Sequence, residues 1–228
     1  MYNLHREITK MNRDTPTNNS LERQKILEGL KAEIASGILK PGQRLVESHL
    51  SEVFGVKRSR IREVLRKLEQ DGFVKIIPNV GAKVAEFSQK DIEHIYDLLG
   101  VVEGLAVRVI TPFITVDQIK SIEVLIKKME ATNKPPLFYE YNNKLHSLFI
   151  TWSENEHLIK LTDNLRYRIR CVNLQTIFSP GQIAASIKEH RKIFEAIKER
   201  KPQKVEQLMR DHLFHAKNRL IKYMNKSL

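Results

Sequence analysis

From Ser20 onward the apolar residues Ile26, Leu27, Leu30 and Ile34 fall three and four positions apart, the spacing of one helix face, until Gly37 and the Lys40-Pro41-Gly42 turn break the pattern. Residues 47–54 read as a short second helix burying Leu50 and Val53, and Gly55 supplies a tight turn before a third helix over 57–71. Two helices hinged on one glycine predict a helix-turn-helix. After Gly72 the period drops toward two: Phe73, Val74, Ile76 and Ile77 are β-prone, Pro78-Asn79-Val80-Gly81 turns, and 82–84 pairs back, which predicts a β-hairpin wing. Residues 1–19, with Asn12, Asp14, Pro16, Asn18 and Asn19, hold no sustained period and predict a flexible arm.

From Ser88 the helical period returns and persists. Ser88 followed by Asp91 has the spacing of a capping box. Pro112, Pro135-Pro136, Ser179-Pro180-Gly181 and Pro202 then delimit six helices, at 89–110, 116–131, 136–152, 156–176, 182–199 and 203–225. Their apolar stripes, such as Leu158, Leu161, Leu165, Ile169 and Val172, predict an antiparallel bundle. The fold class is therefore mainly α: a flexible arm at 1–19, a winged helix-turn-helix with a small hairpin at 20–86, and an all-α bundle at 87–228.

Composition narrows the function. A formal net charge of +12 over 228 residues favours a polyanionic partner, because lysines and arginines that neutralise phosphates release counterions. No apolar run approaches the roughly 20 residues needed to cross a bilayer, so a cytoplasmic, membrane-free protein is expected. Cys171 is the sole cysteine, which excludes an internal disulfide and thiolate zinc clusters, and any metal must use nitrogen and oxygen ligands. Nucleophile elbows, phosphate-binding glycine loops and dinucleotide fingerprints are missing, and no enzyme is expected.

Within the third helix, Lys57, Arg58, Arg60, Arg62, Arg66 and Lys67 crowd around a single acid, Glu63, while Ile61, Val64, Leu65 and Leu68 form its inward stripe. Arg58, Ser59, Arg60 and Arg62 are thereby left near an exposed helix N-terminus, where a recognition helix meets base edges and phosphates. The segments Gly37-Ile-Leu-Lys-Pro-Gly-Gln-Arg-Leu, Leu50-Ser-Glu-Val-Phe-Gly-Val-Lys-Arg-Ser-Arg-Ile-Arg, Asp71-Gly-Phe-Val and Gly81-Ala-Lys-Val closely resemble the GntR family of bacterial regulators over residues 21–86. The resemblance implies that Arg58 and Arg62 make the principal operator contacts, that Lys57 and Ser59 support them, and that Gly81 brings the wing into the minor groove. Ser48 stands where many members carry arginine, and Arg60, usually a small residue, is the replacement contact.

His146, His190 and His212 fall on three different bundle helices, with Asn142 one turn before His146 on the same face. Taken singly, a helical histidine is most often a packed or surface residue. The bundle, however, resembles the FadR C-terminal domain (FCD) class of the same family, whose Asp-x-x-Phe-His, Glu-His and late third histidine correspond to Asn142-Asn-Lys-Leu-His146, Glu189-His190 and His212. That resemblance implies a divalent metal held by Asn142, His146, His190 and His212. An uncharged amide in place of the aspartate disfavours hard cations and points to zinc or nickel rather than manganese. His215, three residues on, competes with His212 for the same role.

In the family the metal lies in a pocket that receives the carboxylate of an organic acid. Many members carry an arginine four residues before the glutamate matching Glu103, where this chain has Leu99. Arg166 and Arg170, on one helix face, are the substitute effector contacts, Arg168 points elsewhere, and Asn173 and Tyr139 are candidate polar lining. The expected function is a homodimeric, sequence-specific repressor whose affinity for a pseudo-palindromic double-stranded operator is set by a small metabolite. The alternatives are a regulator that responds to the metal itself and, less favoured for want of a general base, a metal-dependent hydrolase fused to a DNA-binding domain.

Overall fold

Proline placement accounts for where three of the helices begin. Helix α1 (Pro16–Ala35), α6 (Pro135–Trp152) and α9 (Pro202–Met224) each start on a proline, one to four residues ahead of the boundaries expected from periodicity. At the first helical position the missing N–H would have no intrahelical partner in any case, and the fixed φ already suits the helix, so these prolines open helices instead of lying outside them. The structure, a computed structural model, describes residues 16–173 and 181–225, with side chains over 20–169 and 181–225. Of the expected arm at 1–19, residues 16–19 belong to α1, and 1–15 lie outside the described residues, as does the helix end at 174–176.

The chain divides into two compact units, Met1–Glu86 and Phe87–Leu228. In the first, α1 packs against α3 (Arg58–Gln70), and α2 (Glu47–Phe54) packs against α3 as well. Gly55, at φ 63°, closes α2 in the left-handed region that glycine enters without penalty. Phe54, not Val53, is the second buried residue of α2 beside Leu50: it lies four positions on, on the same helix face, while Val53 is half-buried. Strands β2 (Val74–Ile77) and β3 (Gly81–Val84) form the hairpin, and a two-residue strand, β1 (Arg44–Leu45), joins the far edge of β3 in the order β1-β3-β2. So short a strand gives no period to read, which is why the pattern missed it. All pairing is antiparallel, with Leu45 opposite Ala82 and Val74 opposite Val84; these four side chains are buried.

In the second unit, α4 (Gln89–Ile110) is the hub, packing against α6, α7 (Glu156–Asn173) and α9. Its start is fixed by the full capping box: the Ser88 hydroxyl accepts from the Asp91 N–H, and the Asp91 carboxylate accepts from the Ser88 N–H at 2.9 Å. Gly104 allows α9 to approach, since a Cβ there would meet the Arg210 side chain at 3.2 Å and the Glu206 carbonyl at 3.4 Å. Pro112 ends α4 in a short 3₁₀ turn (Thr111–Phe113), absent from the sequence expectation, and the Arg200 guanidinium donates to the Pro112 carbonyl within it at 2.6 Å and to the Ile114 carbonyl just beyond it at 2.9 Å. Helix α5 (Val116–Ala131) packs on α6 and on α8 (Gln182–Lys198). The bundle's main core runs from Ile92, Ile95 and Leu99 through Phe149 and Ile193 to Met209 and Leu213.

Candidate metal centre and nucleic-acid interface

In the first unit, α3 buries Ile61, Val64, Leu65 and Leu68 at no more than 1% exposure, which turns its opposite face and N-terminus outward. Lys57, Arg58 and Ser59 are exposed at that terminus, where no side chain caps the helix and no acid occupies the first turn. The unsatisfied N–H groups of a helix start favour an anion. Arg60 is half-buried and bonds Glu63 at 3.0 Å, while Arg62 grips Glu47 of α2 with both guanidinium arms, at 2.9 and 3.2 Å. The hydrogen bonds from Arg62 hold the Glu47 carboxyl below its ordinary pKa. Gly81 opens β3 at φ 99° with nothing within 4 Å of a would-be Cβ, so conformation, not crowding, calls for glycine there. Ser48 lies on α2, part-buried.

In the second unit, four helices deliver one buried group each to a common point: Glu103 from α4, His146 from α6, His190 from α8 and His212 from α9. One ring nitrogen from each of the three histidines lies within 4.8 Å of the others, and the ring centroids stand 4.5–5.2 Å apart. His146 Nδ1 bonds Glu103 Oε2 at 2.7 Å, and Arg166 of α7 holds both oxygens of the same carboxylate at 2.5 Å. Burial alone would raise the Glu103 pKa, yet the charges of Arg166 and His146 outweigh it and bring it down to about 2. Burial, together with the Arg166 charge, lowers His146 to about 4 against the pull of Glu103, and burial sets His190 well below its ordinary value. His212 has a matching support: its Nδ1 bonds Glu189 Oε2 at 2.7 Å, and Arg219 closes on that carboxylate at 2.8 and 3.0 Å. Burial is again outweighed, here by the bonds from His212 and Arg219, and Glu189 falls to about 2.

Two observations test whether these residues fit a metal. An ionised carboxylate only accepts, so Glu103 and Glu189 fix the proton of His146 and His212 on Nδ1 and leave each Nε2 lone pair facing inward. His190 meets this pair with its Nε2 3.1 Å from His146 Nε2, while its buried Nδ1 has no protein hydrogen-bond partner. Three buried imidazoles, with carboxylates behind two of them, form a donor set suited to zinc, nickel or a similar borderline transition metal.

Beside the cluster opens a cavity of about 110 Å³ whose walls include Asn142, His146, Arg166, Ser186, His212 and Arg219. Asn142 is thus brought to the same cavity as His146. Tyr139 lines it too, as does the fully buried Leu99. His215 is 53% exposed and bonds the outer oxygen of Glu189 at 3.1 Å, so it serves the carboxylate and lies outside the cluster. Arg168 stacks on Phe87, away from the cavity, as its helix phase predicts. Arg166 reaches the wall already bonded to Glu103, and the side chains of Arg170 and Asn173 lie outside the described residues. Sequence reasoning passed over Glu103 and Glu189 as histidine partners and Arg219 as a support. Glu189 precedes a histidine and its motif was visible, but Arg219 gives no local signal.

Among described residues no helix is long and apolar enough to cross a membrane. Residues 22–84 match the model of bacterial regulatory proteins of the gntR family, and residues 94–215 match that of the FCD domain. The chain is 31% identical to the uncharacterized HTH-type transcriptional regulator YdhC of Bacillus subtilis over 193 residues, covering 82% of this chain and 85% of the relative. It is 26% identical to the HTH-type transcriptional repressor RspR of Escherichia coli over 215 residues, covering 90% and 89%. Among solved structures, E. coli McbR/YncC superposes with a TM-score of 0.74 at 19% identity, covering 89% of this chain and 98% of that one.

Proposed function

The chain belongs to the GntR family of DNA-binding transcriptional regulators, in the branch that carries an FCD domain, and on that premise we propose that it is a homodimeric, cytoplasmic repressor whose operator affinity is set by a small organic acid bound beside a zinc or nickel ion. Residues 20–86 dock on DNA through Lys57, Arg58, Ser59, Arg60 and Arg62, with Gly81 shaping the wing, and residues 87–228 bind effector and partner subunit. One observation carries the sensing half: three buried imidazoles from three helices, two of them backed by carboxylates, at the wall of a cavity. His146, His190 and His212 hold the ion with Asn142 as an auxiliary oxygen, and the ion supplies a positive charge for a ligand carboxylate.

The effector is compact, because the cavity is small beside the roughly 300–1,000 Å³ of drug-sized sites. Arg166 and Arg219 are already neutralised by Glu103 and Glu189, which supports the metal as the main anchor and Arg166 as a secondary one. The similarity to the repressor RspR supports repression over activation. The committed arginines also favour a second reading, in which the metal alone is the signal. The hydrolase reading loses support, since both carboxylates at the cluster are engaged by histidine and arginine and neither is free to serve as general base.

The test is selection of bound sequences from a random duplex pool, followed by operator affinity measured with chelator, with zinc or nickel, and with metal plus simple dicarboxylates and tricarboxylates. Pseudo-palindromic enrichment and a loss of affinity that needs metal and acid together are expected. Loss with metal alone selects the metal-responsive reading, and absence of an enriched site sinks the operator assignment.

A further inference from the structure

The register of the small sheet puts three cations side by side. Arg44 of β1 pairs with Lys83 of β3, and Lys83 pairs with Lys75 of β2. Directly opposed residues in antiparallel strands share a face, and here the alternate positions Leu45, Val74, Ala82 and Val84 are buried, so Arg44, Lys83 and Lys75 all project from the outer face. Like charges in opposed positions destabilise a sheet. Several other cations of this unit are compensated, as Lys31 and Lys67 hold Asp71, Arg60 holds Glu63 and Arg62 holds Glu47. Among the described residues, no carboxylate is paired with Arg44, Lys75 or Lys83.

We propose that Arg44, Lys83 and Lys75 form a track that binds the phosphate backbone of double-stranded DNA, separate from the contacts of α3. The row crosses three strands and so spans roughly 10 Å, comparable with the rise along the duplex axis of about three nucleotides of one strand at roughly 3.4 Å each. The hairpin that carries Lys75 and Lys83 ends in the exposed Val80 and in Gly81, so the row lies on the same hairpin as the wing tip. The track uses no base edges, so it adds affinity without sequence preference and is legible on DNA of any sequence. It rests on the assignment of this unit as the DNA-binding one.

The experiment uses the full chain and a random-sequence duplex of about 40 base pairs, with binding followed by fluorescence anisotropy across a salt series. The Lys75→Gln/Lys83→Gln double variant is expected to bind roughly fivefold more weakly for each lost contact near physiological salt, and to flatten the slope of log affinity against log salt by about 0.9 per contact. An unchanged slope overturns the track whatever Arg58→Ala does; Arg58→Ala, measured in parallel, reads the docking of α3 on its own. Lys83→Glu adds an independent readout. Flanked by Arg44 and Lys75, the new carboxylate is expected to raise Tm while lowering DNA affinity, whereas a purely structural lysine would move both in the same direction.

Discussion

The imidazole of His146 and the carboxylate of Glu103 meet across 2.7 Å with both side chains 1% exposed, and the bond fixes which nitrogen of the ring faces the other histidines. Glu103 is acceptor-only, so Nδ1 keeps the proton and Nε2 keeps its lone pair. Glu103→Gln preserves shape but removes the charge that sets this tautomer. Metal affinity is expected to fall about 10- to 100-fold, as for other ligand-supporting carboxylates, with the helical content unchanged. Chelator competition measures it, and undiminished affinity would remove Glu103 from the site.

The residues proposed to read DNA divide into free and tethered groups. Arg58 is exposed and packs no core, so Arg58→Ala is expected to cost roughly 1–3 kcal/mol of operator binding and leave Tm unchanged. Arg62 is tethered to Glu47. Glu47→Ala releases it and deletes a negative charge near the duplex, so affinity for random-sequence DNA should rise while the ratio of specific to non-specific affinity falls. Competition with bulk DNA reads this ratio, and a raised ratio would contradict the tether.

Asp71 stands at the far end of α3, where it joins Lys31 of α1 to Lys67 of α3. Burial pushes its pKa up, but hydrogen bonds from Lys31 and Lys67, both at 2.9 Å, prevail and hold it below the ordinary aspartate value. A carboxyl whose folded pKa is depressed stabilises the fold above its unfolded pKa, near 3.8, and that contribution drains away as pH falls through the lower folded value. Asp71→Asn should therefore cost roughly 1 kcal/mol at neutral pH and less near pH 2. Urea unfolding at the two pH values checks the difference, and equal costs would refute the account.

Among the described residues, periodicity located helices to within a few residues where a single stripe is buried, as Ile61, Val64, Leu65 and Leu68 are on α3. It misplaced the starts at Pro16, Pro135 and Pro202, where proline serves as an opening residue, and it missed β1, whose two residues are held by pairing with Lys83 and Ala82 and not by their own pattern. At the site, the three histidines were legible through motif and helix. The support of His212 by Glu189 and Arg219 was not, since it joins residues 23 and 30 positions apart in sequence through the packing of α8 against α9. Which cation serves the cavity was equally hidden: Arg166 is on the wall, but its bond to Glu103, 63 positions away, is visible only in three dimensions.

His212 and His215 lie three positions apart on α9, and sequence alone leaves either as the third ligand. Their environments separate them. His212 is 4% exposed, its ring 4.5 Å from that of His190 and 5.2 Å from that of His146, and Glu189 holds its Nδ1 so that Nε2 faces the cluster. His215 is 53% exposed and touches the same carboxylate from outside. His212→Ala should thus abolish retention of zinc or nickel through purification. His215→Ala should keep it, weakening affinity by well under tenfold, because Glu189 retains Arg219 and His212. Elemental analysis of the two variants decides, and metal retained by His212→Ala but lost by His215→Ala would reverse the assignment.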